Sequence, residues 1–194
     1  MKMLIGLTGR TGSGKTTAAQ ILTRLGAFVA DCDKIGHNIL FDPSIKEKLC
    51  KAFSEIILDE NKNIDRKALG KIVFGDKEKL SLLNHIMHTA IIKEALALCE
   101  ESKKDICFID GSELEASGVD ERCSYVVVIT ADKDARLKRI LERDNLKEDA
   151  ALSRINSQTD YSKKAIIIKN NGNLKDFENA VTKVYNKFLE EINA

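Results

Sequence analysis

The chain has 194 residues with 31% charged and 43% hydrophobic residues and a formal net charge of +1, the make-up of an ordinary globular protein long enough to bury one core. So small a net charge excludes a broad basic surface for nucleic acid. Five scattered cysteines without a CxxC pair exclude a disulfide framework and a zinc site, and point to reduced thiols in the cytoplasm.

Met3 to Thr8 is a short apolar run that reads as a first strand. It leads into Gly9-Arg10-Thr11-Gly12-Ser13-Gly14-Lys15-Thr16, which has the spacing of a phosphate-binding loop, and Thr16 to Leu25 follows with helical composition. Glycines at 9, 12 and 14 allow positive φ and close approach, so that backbone N–H groups from Gly12 to Thr17, Ser13 included, can wrap a polyphosphate. Lys15 is expected to reach the β- and γ-phosphates of ATP and Thr16 to hold Mg2+. The helix N-terminus aims its dipole at the same anion. No stretch before the loop resembles a signal peptide, and no apolar run is long enough to span a membrane.

Ala27 to Ala30 reads as a second strand ending in Asp31-Cys32-Asp33. Carboxylates at i and i+2 on a strand end project to one side, toward the crevice where open parallel sheets bind ligands. Residues 34–102 then have helical character, with helices starting at Asp42-Pro43-Ser44, at Asn63-Ile64-Asp65 and at Lys77. That is far more chain than a crossover needs, and it is expected to form a mostly helical acceptor-binding insertion. Residues 1–33 and 103–194 then form the nucleotide-binding core.

Ile106 to Asp110 and Tyr125 to Thr130 are the third and fourth strands, and Ile166 to Ile168 the fifth. Helices are expected over Ala135–Glu142, from Lys147 to about Lys164, and from Leu174 to Ile192. Strands alternating with helices give an α/β fold whose parallel sheet is covered on both faces.

A phosphate loop alone does not separate a kinase from a GTPase or a motor. No Asn-Lys-x-Asp stretch for guanine is present, and motor ATPases need more chain. Phosphoryl transfer needs an acid to orient or deprotonate the acceptor hydroxyl and cations to gather charge. Asp33 is the candidate acid, with Asp31 as competitor. Asp110 ends the third strand, either as a holder of Mg2+ through water or as a helix cap. Arg136, Arg139 and Arg143 lie on one helix face, either as a lid over phosphates, within 139–164, or as a solvated face pairing with Glu142 and Asp144. His85 and His88 stand three apart on a helix, as a substrate contact or as surface residues.

In combination these residues resemble the dephospho-coenzyme A kinase family. The resemblance rests on Gly6 to Lys15, Asp31-x-Asp33, Ile64-Asp65-Arg66 with Val73-Phe74, Leu83-Asn84-x-Ile86-x-His88, Arg139-x-x-x-Arg143-Asp144, Arg154-Ile155-x-x-Gln158 and Ile168-x-Asn170-x-Gly172. It implies a P-loop fold with a five-stranded parallel core, and transfer of the ATP γ-phosphate to the ribose 3′-hydroxyl of dephospho-coenzyme A. The resemblance makes Asp33 the base, Arg139 and Arg143 lid cations, Arg66 and His88 acceptor-side residues, and Asn170 a neighbour of adenine. The chain departs from the family at Thr89, where a proline is usual, and at Ser112 to Ala116, where an apolar stretch is usual. Both departures are expected on the acceptor side. The alternatives are a kinase of the same fold acting on another small molecule or nucleotide, and an ATP-binding protein without turnover.

Overall fold

The computed structural model describes residues 2–158 and 160–194. Five strands, β1 (Met3–Gly9), β2 (Phe28–Asp31), β3 (Ile106–Asp110), β4 (Tyr125–Thr130) and β5 (Ile166–Lys169), form one sheet in the order β2-β3-β1-β4-β5. It is a parallel sheet with helices on both sides. β1 lies in the middle, with Leu7 beside Asp110 of β3 and Val127 of β4. A central parallel strand is covered on both faces, which is why β3 is buried at all five positions.

Two compact units divide the chain, one formed by residues up to Ala30 with Cys99–Ala194, the other by Asp31–Leu98. In the first, α1 (Lys15–Arg24) buries Ala18, Ile21 and Leu22. The closing helix α9 (Leu174–Asn193) buries Phe177, Val181, Tyr185 and Phe188, a stripe at helical spacing. Both helices join the core that includes Ile5, Leu7, Phe108, Val127 and Ile129. A helical hairpin, α7 (Lys133–Asp144) and α8 (Glu148–Asn156), has its own small cluster of Ile140, Ala151 and Ile155. A four-residue helix, α6 (Leu114–Ser117), follows β3 and places Leu114 beneath Gly6, where a Cβ would lie 2.8 Å from it.

The second unit holds α2 (Cys32–Ile39), α3 (Pro43–Phe53), α4 (Arg66–Val73) and most of α5 (Lys77–Glu101). The Asp42 and Asp65 carboxylates each accept from two backbone N–H groups at the starts of α3 and α4, and Pro43 fills the first turn. Ile45, Leu49, Phe53, Ile57, Leu69 and Val73 form this unit's own core.

The structure corrects the sequence reading in two places. No extended segment carries both Asp31 and Asp33 past β2, because α2 begins at Cys32 and the Asp31 side chain caps it, accepting from the N–H groups of Asp33 and Lys34 at 3.1 Å each. The helix expected to run to about Lys164 ends at Asn156. The chain beyond it is held by contacts far away in sequence, described below. Thr159, within the predicted helix, lies outside the described residues.

Candidate active site

The loop between β1 and α1 has the shape its glycines allow. Gly12 and Gly14 take φ of 77° and 100°, the left-handed region that favours glycine. Gly9 does not, and its need is space, since a Cβ there would lie 2.5 Å from the Ile129 carbonyl oxygen. Gly14 caps α1 with no side-chain partner, and the first turn contains no acidic residue, so the leading N–H groups of the helix remain donors for an anion. The half-buried Lys15 ammonium pairs with the Asp110 carboxylate at the end of β3. Thr16 is exposed and Thr17 half-buried on the first turn of α1, and Ser13 is fully buried. An uncapped helix start, a lysine at its first position and an adjacent hydroxyl together fit a nucleotide triphosphate.

Side chains from distant parts of the chain hold this loop. Asn170, buried just after β5, donates from Nδ2 to the Ser13 carbonyl oxygen at 2.8 Å, and a Cβ on Gly14 would come within 2.3 Å of that nitrogen. Arg139 donates to the Gly12 carbonyl at 3.2 Å and to the Asn170 carbonyl at 2.8 Å. Arg136, 5% exposed, donates from Nε to the Thr11 carbonyl at 2.9 Å, and burial first, then the Arg10 charge, lowers its pKa. Gln158 accepts from the Thr11 N–H at 2.7 Å, and Arg10 pairs with Asp160 at 2.6 Å. Arg143 pairs instead with Asp144 at 2.6 Å, a carboxylate it shares with Arg154 at 2.7 Å.

Of the stripe of three arginines, two reach the loop and one reaches its neighbour on the helix. The loop contacts of Arg136 and Gln158 span more than a hundred residues, and only the helical spacing of Arg136 hinted at its side. In the segment 112–116, expected on the acceptor side, the Glu115 carboxylate accepts from the Ser162 N–H at 3.0 Å and from its hydroxyl. Asp120, with its side chain almost fully buried, accepts from Tyr161 Oη at 2.9 Å and pairs with Lys163 at 2.8 Å. These bonds tie Tyr161, Ser162 and Lys163 to the segment that follows β3.

In the other unit, Asp33 is exposed on the first turn of α2, free of the capping role that Asp31 takes. Arg66 is the first residue of α4, with its guanidinium 3.4 Å from the ring of His37, a residue the sequence reading did not single out. His85 is exposed and His88 half-buried on α5. Thr89 donates its hydroxyl to the His85 carbonyl at 2.8 Å, and α5 runs on without a break. No group of three or more His, Cys, Asp or Glu among the described residues could hold a metal unaided. An ion shared with substrate phosphates is the case left to Thr16 and Asp110.

The sequence profile of the dephospho-CoA kinase family matches residues 3–176. A dephospho-CoA kinase of Fusobacterium nucleatum is 40% identical over 178 residues, covering 90% of this chain and 92% of its own. The solved dephospho-CoA kinase from Campylobacter jejuni superposes with a TM-score of 0.67 at 31% identity, covering 97% and 98% of the two chains. The crystal structure of TT1252 from Thermus thermophilus superposes with a TM-score of 0.81 at 26% identity, covering 96% and 97%.

Proposed function

The chain belongs to the dephospho-CoA kinase family, and from this and the loop geometry we infer that it transfers the γ-phosphate of ATP to the ribose 3′-hydroxyl of dephospho-CoA. The products are ADP and coenzyme A, in the last step of coenzyme A biosynthesis. The observation that carries the reading is Lys15 at the first position of an uncapped helix, paired with the strand-end Asp110.

On this reading the N–H groups of Gly12 to Thr17 bind the polyphosphate, and Lys15 leaves Asp110 to follow the γ-phosphate. The Thr16 hydroxyl and, through water, Asp110 would hold Mg2+, which would supply positive charge to the phosphates. Asp33 orients the 3′-hydroxyl and accepts its proton. The transition state of such transfers is loose, so alignment counts as much as basicity. Arg66 and His88 contact the acceptor. Residues 139–164 act as a lid in which Arg143 supplies charge, while Arg139 keeps the loop in shape. Asn170, which braces the loop, lies near adenine.

The partner is thus a small molecule. No disulfide joins Cys32, Cys50, Cys99, Cys107 or Cys123, and no helix among the described residues is long and apolar enough to cross a membrane; a kinase acting on ATP and dephospho-CoA is placed, on this reading, in the cytoplasm.

An ADP-release assay with Mg2+-ATP, run with and without dephospho-CoA and with the product weighed by mass spectrometry, tests this. Release that requires the acceptor, with one added phosphate on the product, supports it. Intact ATP binding without acceptor-dependent release overturns it, and a panel of other acceptors then separates a different kinase from a protein without turnover.

A further inference from the structure

Both main-chain groups of Thr11 in the phosphate loop are held by side chains from the helical hairpin and the chain just past it. Arg136 on α7 donates from Nε to the Thr11 carbonyl oxygen at 2.9 Å, and Gln158, two residues beyond α8, accepts from the Thr11 N–H at 2.7 Å. Gly12 lies against the same turn of α7, where a Cβ would come within 2.7 Å of the Arg136 carbonyl oxygen. A displacement of Arg136 is therefore passed to the loop.

Arg136 is also a buried charge bonded to no opposite charge. Its guanidinium, in a residue 5% exposed, meets a neutral carbonyl, and its Nη2 has no hydrogen-bond partner among the described residues. The fully buried hydroxyl of Ser13, inside the loop, has none either. Arg10 Nε stands 2.6 Å from Asp160 Oδ1 without a directed hydrogen bond. Of the charges acting on Arg136, Arg10 repels it, and the exposed Asp160 that attracts it is already paired with Arg10. Buried donors in folded proteins are nearly all bonded, and buried charges are paired. Unmet donors gathered at a loop shaped for polyphosphate mark a structure that an anion from outside completes.

We propose that Arg136 is a positioning residue for phosphoryl transfer, which sets the phosphate loop through Thr11 and whose buried charge is matched only when a nucleoside triphosphate occupies that loop. This rests on the reading of the loop as an ATP site and deepens it. At its depth Arg136 acts without touching the nucleotide, because attraction between charges falls off slowly where water is excluded. The empty protein holds an unpaired buried cation, which is unfavourable, and bound triphosphate offsets that term. Affinity for ATP and stability in its absence are therefore set against each other at this residue. Gln158 shares the grip on Thr11 as a neutral partner and carries no such opposition.

The test is the melting midpoint of wild type, Arg136→Gln and Arg136→Lys with and without ATP, together with calorimetric titration of ATP into each. Glutamine places an amide N–H the same number of bonds from Cα as arginine Nε, so Arg136→Gln keeps the bond to Thr11 and removes the charge. Lysine keeps the charge and removes that donor. Without nucleotide, Arg136→Gln is expected to melt no lower than wild type, and Arg136→Lys below it. The ATP Kd is expected to rise by more than twofold in Arg136→Gln, roughly tenfold at the scale of a lost charge interaction, and by less in Arg136→Lys. ATP should accordingly raise the midpoint of Arg136→Gln less than that of wild type.

An Arg136→Gln protein that melts below wild type when empty, or does not fold, overturns the proposal, because a residue that only supports structure loses stability and affinity together. An ATP Kd within twofold of wild type in Arg136→Gln, or one no better in Arg136→Lys than in Arg136→Gln, also overturns it. Wild type that binds no ATP overturns the reading of the loop and this proposal with it. That failure shows in wild type alone, whereas failure of this proposal shows only in the variants.

Discussion

The side-chain amide of Asn170 donates to the main-chain oxygen of Ser13 at 2.8 Å, joining two residues 157 positions apart. Turning that carbonyl toward Asn170 leaves the N–H groups of the loop for phosphate. Asn170→Ala is expected to lower ATP affinity roughly tenfold, the scale of a lost buried hydrogen bond, with the circular-dichroism spectrum unchanged. Unaltered affinity in a folded variant would remove Asn170 from this role. Gly14→Ala is expected to lose measurable ATP binding, since its φ is 100° and its Cβ would lie 2.3 Å from the Asn170 amide. Removing the Asn170 side chain as well relieves the contact and not the φ, so the double variant is expected to stay impaired.

The two lid arginines are expected to fail differently. Arg139 bonds to the Gly12 and Asn170 carbonyls, so Arg139→Ala should raise the ATP KM as well as lower kcat. Arg143 is exposed and hydrogen-bonds to Asp144, so Arg143→Ala should lower kcat by roughly a hundredfold or more, the range for removing one charge-stabilising donor, with little change in ATP KM. Steady-state kinetics decide; equal effects on both parameters in both variants would refute the split.

Asp31 and Asp33 are separated by the same logic. Asp33→Asn is expected to keep ATP binding and lower turnover by roughly a hundredfold or more, in the range of a general base. Asp31→Ala removes the cap of α2 and should lower stability by about 1 kcal/mol, seen as a lower melting midpoint, with a much smaller effect on turnover. Full activity in Asp33→Asn would end its assignment as base.

All three tyrosines are held above the ordinary phenol range. Tyr161 is pushed up to about 12 by burial and then by its bond to the Asp120 carboxylate. Tyr125 is raised by its bond to Glu191, and Tyr185 by burial and by Asp105. A raised phenol pKa favours the folded state with the neutral ring. For Tyr161 the stabilisation is fully present below the unfolded value of about 10 and is lost as pH climbs toward about 12. Absorbance titration of the folded protein should show one tyrosine, Tyr161, ionising well above pH 10; Asp120→Asn should bring it down. A single three-tyrosine step at that pH in folded protein would contradict the structure.

What was legible in the sequence was local. Short β-branched runs such as Tyr125 to Thr130 become strands because a continuous apolar run bounded by turns is buried best with both of its faces covered. Asp42 and Asp65 start helices because a carboxylate captures N–H groups two and three residues ahead. The same signal at Asp31 was there to be read, but an acid at a strand's carboxyl end has two local fates, ligand contact and helix cap, and residue type does not choose between them. The end of α8 depends on Gln158 meeting Thr11 and Ser162 meeting Glu115, pairings that helix propensity cannot contain.

The sequence by itself determined the phosphate loop, the order of strands and helices and the family, because glycine spacing, period and motif order are properties of neighbouring residues. Only the tertiary structure decided which of the arginines hold the loop, that Asn170 braces Ser13, that Asp31 caps while Asp33 stays exposed, and that His37 stands beside Arg66. Hydrogen bonds act over about 3 Å of space whatever the separation along the chain, so folding must bring the partners together before their roles exist.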